Sequence, residues 1–197
     1  MARPRSEAAN RAATMATVEI LVEDGIEGVT MEEVAARSGV AKSTLYRHFG
    51  SREELVAAAA RECQVRYETP NTGSLESDLR ALFEAHRASV EENCLNDLLP
   101  ILLDGARREP GFSELVHDLL EARRRPIRTI IQLAQLRGEV APELDAEDAV
   151  AIAVGPVVYQ KMVLRREITS EFLELAIRSA VTALRATVSE GAATVHP

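Results

Sequence analysis

Residues 30–49 read TMEEVAARSGVAKSTLYRHF, two short apolar-periodic patterns on either side of a single glycine. Thr30 precedes the first pattern and Glu33 follows three positions later, so hydroxyl and carboxylate can cap each other's orphan backbone N–H groups and fix a helix start. Met31, Val34 and Ala35 share one face of that helix at i, i+3 and i+4. Ser38 and Gly39 end it, because glycine tolerates the left-handed conformation of a sharp helix exit. After Val40 a second helical pattern runs from Ala41 to Phe49. Ala41, Leu45 and Phe49 are spaced along an edge expected to be buried, and Lys42, Ser43, Thr44, Tyr46, Arg47 and His48 occupy the opposite face. Two short helices joined by a glycine-containing turn make a helix-turn-helix, a motif whose second helix enters the DNA major groove. Thr30, at a helix N-terminus, presents N–H groups suited to a phosphate.

On the N-terminal side, residues 1–7 with Arg3 and Arg5 are a basic arm or a disordered terminus. A helix follows from Ala8 to Glu23, with Ala12, Ala16, Glu19 and Glu23 on one line and Met15, Val18, Leu21 and Val22 supplying apolar contacts. Asp24, Gly25 and Gly28 stop it. On the C-terminal side, Ser51 and Glu54 form a second capping box and start a fourth helix expected to reach about Tyr67, on the order of 25 Å at 1.5 Å per residue.

The whole chain has 197 residues, enough for one sizeable core or for a small domain and a larger one. Alanine, leucine, glutamate and arginine dominate, Gly and Pro are few, and aromatics make up 4%, a composition that argues for an all-α fold. Cys63 and Cys94 are far apart with no CxxC spacing, which indicates neither a metal site nor a disulfide framework and fits a reduced cytoplasm. No apolar run reaches membrane-span length and the polar N-terminus is not a signal peptide. The net charge of −8 is unevenly placed. Residues 1–52 hold seven of the 23 Lys and Arg and seven of the 31 Asp and Glu, so the other 145 residues carry all of it. A local basic patch near the helix-turn-helix is what phosphates would feel.

Further on, Leu75, Leu79, Leu82, Phe83, His86 and Val90 recur at helical spacing in a helix ending near Asn93. Leu95 to Arg108 gives the next, with Pro100 tolerable in a first turn. A long pattern from Phe112 to Arg137 contains Pro126, where a kink is expected because the ring removes a helical bond. Asp145 and Asp148 suit the start of a helix that is apolar almost all round to Tyr159, interrupted by Gly155 and Pro156. A last amphipathic helix spans Ser170 to Ala186, and SEGAATVHP reads as a disordered tail.

Within this C-terminal part Phe83, His86, Asn93, Tyr159 and Gln160 are candidate ligand contacts. A lone histidine on an apolar stripe such as His86 is more often a satisfied core residue than a ligand contact. Arg123 falls in line with Phe112, Val116 and Leu119, so it is expected to be partly buried and paired with an acid. Val150, Val154, Val157, Val158, Phe172, Ala176 and Ala180 are candidates for a dimer surface. Enzymatic chemistry finds no support: adjacent acids such as Glu32 and Glu33 diverge by about 100° on a helix, and GxSxG, phosphate-binding glycine loop and HExxH motifs are missing. No cofactor and no metal are implied.

The run VTMEEVAARSGVAKSTLYRHFGSREELVAAA, residues 29–59, resembles the DNA-binding signature of the TetR family of bacterial transcriptional regulators. Thr30, Val34 to Ala36, Gly39, Val40, Lys42, Leu45, Tyr46, Phe49, Ser51 and Leu55 carry the match, which covers about residues 10–60. The resemblance implies a helix-turn-helix domain over 1–50, a connecting helix over 51–68 and an effector-binding and dimerisation domain over 69–197, about nine helices in all. It implies a homodimer on a pseudo-palindromic operator, released by a small-molecule effector. It also makes Ser43, Thr44, Arg47 and His48 candidates for base edges or nearby phosphates, and Lys42, Tyr46 and Arg52 candidates for backbone contacts. Arginine pairs bidentately with guanine, which would make Arg47 a specificity determinant. The competing reading is a helical adaptor or sensor whose helix-turn-helix no longer binds DNA. The retained Lys42, Thr44, Tyr46 and Arg52 speak against it.

Overall fold

Side-chain caps set several of the described helix starts. In the computed structural model, which describes residues 3–65, 67–89 and 94–193, every regular element described is helical. These are α1 (Arg3–Gly28), α2 (Met31–Ser38), α3 (Lys42–Phe49), α4 (Arg52–Glu62), α5 (Leu75–Ala88), α6 (Leu95–Arg108), a 3-10 turn (Pro110–Phe112), α7 (Ser113–Leu136), α8 (Ala146–Val158), a π turn (Tyr159–Val163) and α9 (Ser170–Ala193). Thr30, Ser51, Ser74 and Asp145 each accept a backbone N–H from the first turn they precede. The chain packs as two compact units, Met1–Val65 with Val90–Leu120, and Arg66–Ser89 with Glu121–Pro197. The helices expected as one effector domain over 69–197 are therefore shared between the units.

In the first unit α1 is the central element, packed by α2, α4 and α6. Its buried line is Ala13, Ala16, Thr17, Ile20 and Leu21, whereas Met15 and Val22, expected as apolar contacts, are exposed. The helix breaks at Gly25, where φ is 73°, and one further turn runs to Gly28. Ile26, Val29, Met31, Val34, Leu45, Phe49, Leu55 and Val56 continue the core through the next three helices. Gly105 lets α6 approach that core, since a Cβ there would lie 2.6 Å from Ile26 Cδ1. Helix α4 ends at Glu62, not near Tyr67, and Cys63 caps it. Cys63 is disulfide-bonded to Cys94, against the expectation from their spacing, because the fold brings residues 31 apart in sequence to a Cα separation of 5.1 Å. Pro100 falls in the second turn of α6 rather than the first.

The second unit is built on α5, α8, α9 and α7 from Glu121 onward, with Leu79, Leu82, Ile130, Ile131, Ala153, Ile177 and Leu184 in its core. Helix α7 stays continuous through Pro126, and α9 extends to Ala193, beyond the expected end at Ala186. A polar network anchored on one buried carboxylate lies beside this core. Asp78, fully buried, accepts from Thr72 Oγ1 at 2.7 Å and from Arg137 Nη2 at 3.0 Å. Arg137 also reaches Glu139 at 2.8 Å, and Glu139 takes the Leu75 backbone N–H and Arg185 at 2.9 Å. Burial alone would raise the Glu139 pKa, but the bonds from Arg185, Arg137 and Leu75 outweigh it and hold the carboxyl below its ordinary value. Asp78→Ala removes the buried acceptor of Thr72 and Arg137, whose donors still reach water, and a loss of about 1–2 kcal/mol is expected in urea unfolding.

Candidate nucleic-acid interface

The helix-turn-helix is held by a side-chain cap at the start of α2 and by backbone and side-chain bonds through the turn. Thr30 Oγ1 accepts from Glu33 N at 3.0 Å, while the Glu33 carboxylate, expected to return the bond, instead takes Arg37 Nε at 2.8 Å. Gly39 has φ 69° and its N–H reaches Ala35 O at 3.1 Å, the left-handed exit read from the sequence. Ser38 Oγ accepts the Val40 N–H across the turn at 3.2 Å. Ala41 is the N-cap of α3 and is exposed, so the buried edge of α3 is Leu45 and Phe49 alone.

The opposite face of α3 is open. Lys42, Ser43, Tyr46, Arg47 and His48 are exposed and Thr44 is half-buried; Tyr46 keeps 49% of its surface accessible. Lys42 is ion-paired with Glu32 of α2, and its ammonium lies 5.9 Å from the Tyr46 ring centroid. Arg37 points the other way, binding Glu23, Asp24 and Glu33 and so fastening α2 to α1.

Arg52, expected at the DNA backbone, is turned inward. Its Nε donates to Val29 O at 2.6 Å, its Nη2 to Ile26 O, and its Nη1 to Glu109 at 2.6 Å, with the guanidinium 5.1 Å from the Phe112 ring centroid. It joins the Ile26 carbonyl, which also accepts the Val29 N–H, and the Val29 carbonyl just past α1 to Glu109, a structural task.

The ligand candidates do not form one cluster of like exposure. Phe83 is buried in the core of the second unit, Tyr159 is 55% exposed, and Gln160 Nε2 donates to Glu167 O at 3.4 Å. Asn93 lies outside the described residues. His86 belongs to a half-buried polar node that spacing alone did not reveal: Tyr67 stacks on it with centroids 4.3 Å apart, and Tyr67 is hydrogen-bonded to Ser89. The residue that meets His86 is Arg123, with Nη2 3.3 Å from Nε2. A guanidinium only donates, so Nε2 is the acceptor and the ring proton sits on Nδ1. Burial, and then the Arg123 charge, lowers the His86 pKa from 6.5 to about 4.

An imidazole kept neutral in the fold but free to titrate when unfolded stabilises fully above its unfolded pKa. That contribution falls away as pH drops from about 6.5 toward 4. Unfolding free energies at pH 7.5 and pH 4.5 are expected to show this loss, on the order of 2 kcal/mol, in the wild type and not in His86→Gln.

Of the dimer candidates, Val150, Ala176 and Ala180 are buried in the core of the second unit itself. That is a correction: packing within one chain already uses them. Val154 and Val157 are half-buried against the same core, Phe172 is half-buried, and Val158 is 45% exposed. Among the described residues, the large apolar side chains left open on α8, the π turn with its C-cap Leu164, and α9 are Ile152, Val158, Tyr159, Val163, Leu164, Leu175 and Val188. Among the described residues no group of three or more His, Cys, Asp or Glu could hold a metal ion, and no helix is long and apolar enough to cross a membrane.

A capped two-helix motif with a left-handed glycine turn and an open polar second helix defines a helix-turn-helix transcriptional regulator. Comparison with known proteins agrees. Residues 14–59 match the model of bacterial regulatory proteins of the TetR family, and residues 69–180 match the tetracyclin repressor-like C-terminal domain. The chain belongs to the TetR family of DNA-binding transcriptional regulators, a family of non-enzymes. It is similar to an uncharacterised HTH-type transcriptional regulator of Mycobacterium tuberculosis, 28% identical and covering 82% of this chain and 80% of the relative. It also resembles a DNA-binding transcriptional repressor of Mycobacteroides abscessus, 26% identical over 73% of this chain and 76% of that one. Among solved structures, a TetR-family regulator from Rhodococcus sp. superposes with a TM-score of 0.70 at 21% identity, covering 91% of this chain and 99% of that chain. A flavonoid-responsive regulator gives 0.67 at 22% identity, covering 89% and 94%. These two show the shared helical fold.

Proposed function

We infer that the protein is a homodimeric repressor that reads a pseudo-palindromic operator with α3 and leaves it when a small molecule binds. The observation that carries the DNA-reading part is the open face of α3, where Lys42, Ser43, Thr44, Tyr46, Arg47 and His48 stand away from the Leu45 and Phe49 edge. Arg47 and Thr44 are the base-edge candidates, Lys42 and Tyr46 the backbone candidates, and the N–H groups behind Thr30 a further phosphate site. Lys42 must exchange its Glu32 partner for a phosphate on binding.

One such helix touches few base pairs, so specificity calls for two copies on two half-sites. The exposed Ile152, Val158, Tyr159 and Leu175 support a second copy docking on α8 and α9. The similar protein named a transcriptional repressor supports repression, and the flavonoid-responsive neighbour supports release by a small molecule. Such a molecule acts only through its difference in affinity for the DNA-binding and released states. The half-buried node of His86, Tyr67 and Arg123 is the polar contact assigned to it in the second unit.

Fluorescence anisotropy of a selected DNA fragment at rising salt tests the reading. Affinity should fall steeply with salt, as phosphate contacts release counterions. Sedimentation should show a dimer at micromolar concentration, and a monomer there would refute the two-copy arrangement.

A further inference from the structure

The chain has two cysteines, and the fold joins them. Cys63, 4% exposed, caps the C-terminal end of α4, and Cys94, partly exposed, caps the start of α6. Disulfides normally staple small secreted domains that lack a sufficient core; a protein acting on DNA works where small thiols keep cysteines reduced, and a disulfide there is as a rule transient and redox-sensing.

Its position gives the bond leverage over the helix-turn-helix. Helices α4 and α6 both lie along α1 and are tied to each other at opposite ends. At one end Arg52, in the first turn of α4, meets Glu109, the C-cap of α6, at 2.6 Å. At the other end is the disulfide. Arg52 also binds the Ile26 and Val29 carbonyls just before the Thr30 cap of α2, and only Gly50 and Ser51 separate α4 from α3. With the bond closed α4 is tied to α6 at both ends; with it open the tie to α6 remains only at the Arg52 end, while Glu62 still meets Thr14 and Arg11 of α1.

We propose that Cys63 and Cys94 form a redox-active dithiol site for peroxides, whose disulfide holds α4 in the arrangement that binds DNA. Cys94 is the attacking sulfur, being the more accessible and sitting at the amino end of a helix that favours a thiolate. Its thiolate takes one peroxide oxygen as the O–O bond breaks, becoming a sulfenic acid while the other oxygen leaves as an alcohol or water. The Cys63 thiol then attacks that sulfur, the S–S bond forms, and the sulfenic oxygen departs with the Cys63 proton as water. Two thiols and one hydroperoxide thus give one disulfide, one alcohol and one water. Two low-molecular-weight thiols reverse the bond and are themselves oxidised to a disulfide.

The effect on DNA rests on the DNA-reading role proposed above; the thiol chemistry does not. The test uses the full chain, reduced and then titrated with hydrogen peroxide, with thiols counted by alkylation and mass. Affinity is followed by anisotropy on a DNA fragment enriched from a random pool by the wild-type protein. Both thiols should vanish together and return on adding a small thiol. The oxidised form should bind the fragment at least about fivefold more tightly than the reduced form. Cys63→Ser and Cys94→Ser should bind DNA like the reduced wild type with an affinity that peroxide does not change, although Cys94 in Cys63→Ser is still oxidised to the sulfenic acid; two variants guard against one that fails to fold. Thiols that over-oxidise without bonding would overturn the site. Equal or weaker binding by the oxidised form, or a change of affinity with peroxide persisting in either serine variant, would overturn the locking. A protein that retains no DNA in either state overturns the DNA-reading role and the locking with it, while the thiol count still decides the site.

Discussion

Tyr46→Ala is expected to weaken binding to a selected DNA site on the order of 100-fold while leaving the melting temperature within a degree or so of wild type. The phenol ring is 49% exposed on α3 and fills no part of the core, so its loss removes little stability. Each contact at a DNA interface is worth about 1–3 kcal/mol, and a dimer loses it twice. Thr44→Ala should behave the same way, since the helical bond from Thr44 N to Ala41 O at 2.8 Å uses the backbone and survives the change. Gel-shift affinities and thermal melts of both variants check this. Unchanged affinity in either would remove that residue from the interface.

Arg52→Ala is expected to fail in the opposite manner. Without the guanidinium, the Val29 and Ile26 carbonyls and the Glu109 carboxylate lose their shared donor and Phe112 loses its stacking partner. A destabilisation of about 3 kcal/mol should follow, and operator affinity should suffer only as far as the fold does. Arg52→Lys should recover little of it, because one ammonium cannot span three acceptors that a planar fork reaches together. A phosphate contact would leave the opposite signature: normal stability, and a salt slope of binding lower by about one per subunit. Urea unfolding together with salt titration of the variant separates the two.

The difference between these residues shows where the sequence was informative. Caps and exits are local chemistry, so Thr30, Gly39, Ser51 and Asp145 could be placed from their neighbours alone, and the structure has each at the expected helix boundary. Arg52 follows such a cap and has the right charge for a phosphate, yet its direction is decided by carbonyls of α1 and by Glu109, 57 residues away. The Cys63–Cys94 pairing is likewise a tertiary fact with no spacing signature. Helix α8 is apolar nearly all round, so periodicity could not separate its core residue Val150 from its exposed Ile152. In α5, His86 stood out as a polar residue on an apolar stripe, but its partners Tyr67 and Arg123 come from other stretches of chain.

The most direct test is selection of random-sequence duplex DNA by the purified protein, followed by sequencing of what is retained. Two α3 helices on a dimer should enrich a two-fold symmetric sequence with half-sites about one helical turn or more apart, and Arg47→Ala, which removes a base-edge candidate exposed on α3, should lose that sequence preference. A wild-type pool no different from the input, or the same motif enriched by the variant, would contradict reading by α3.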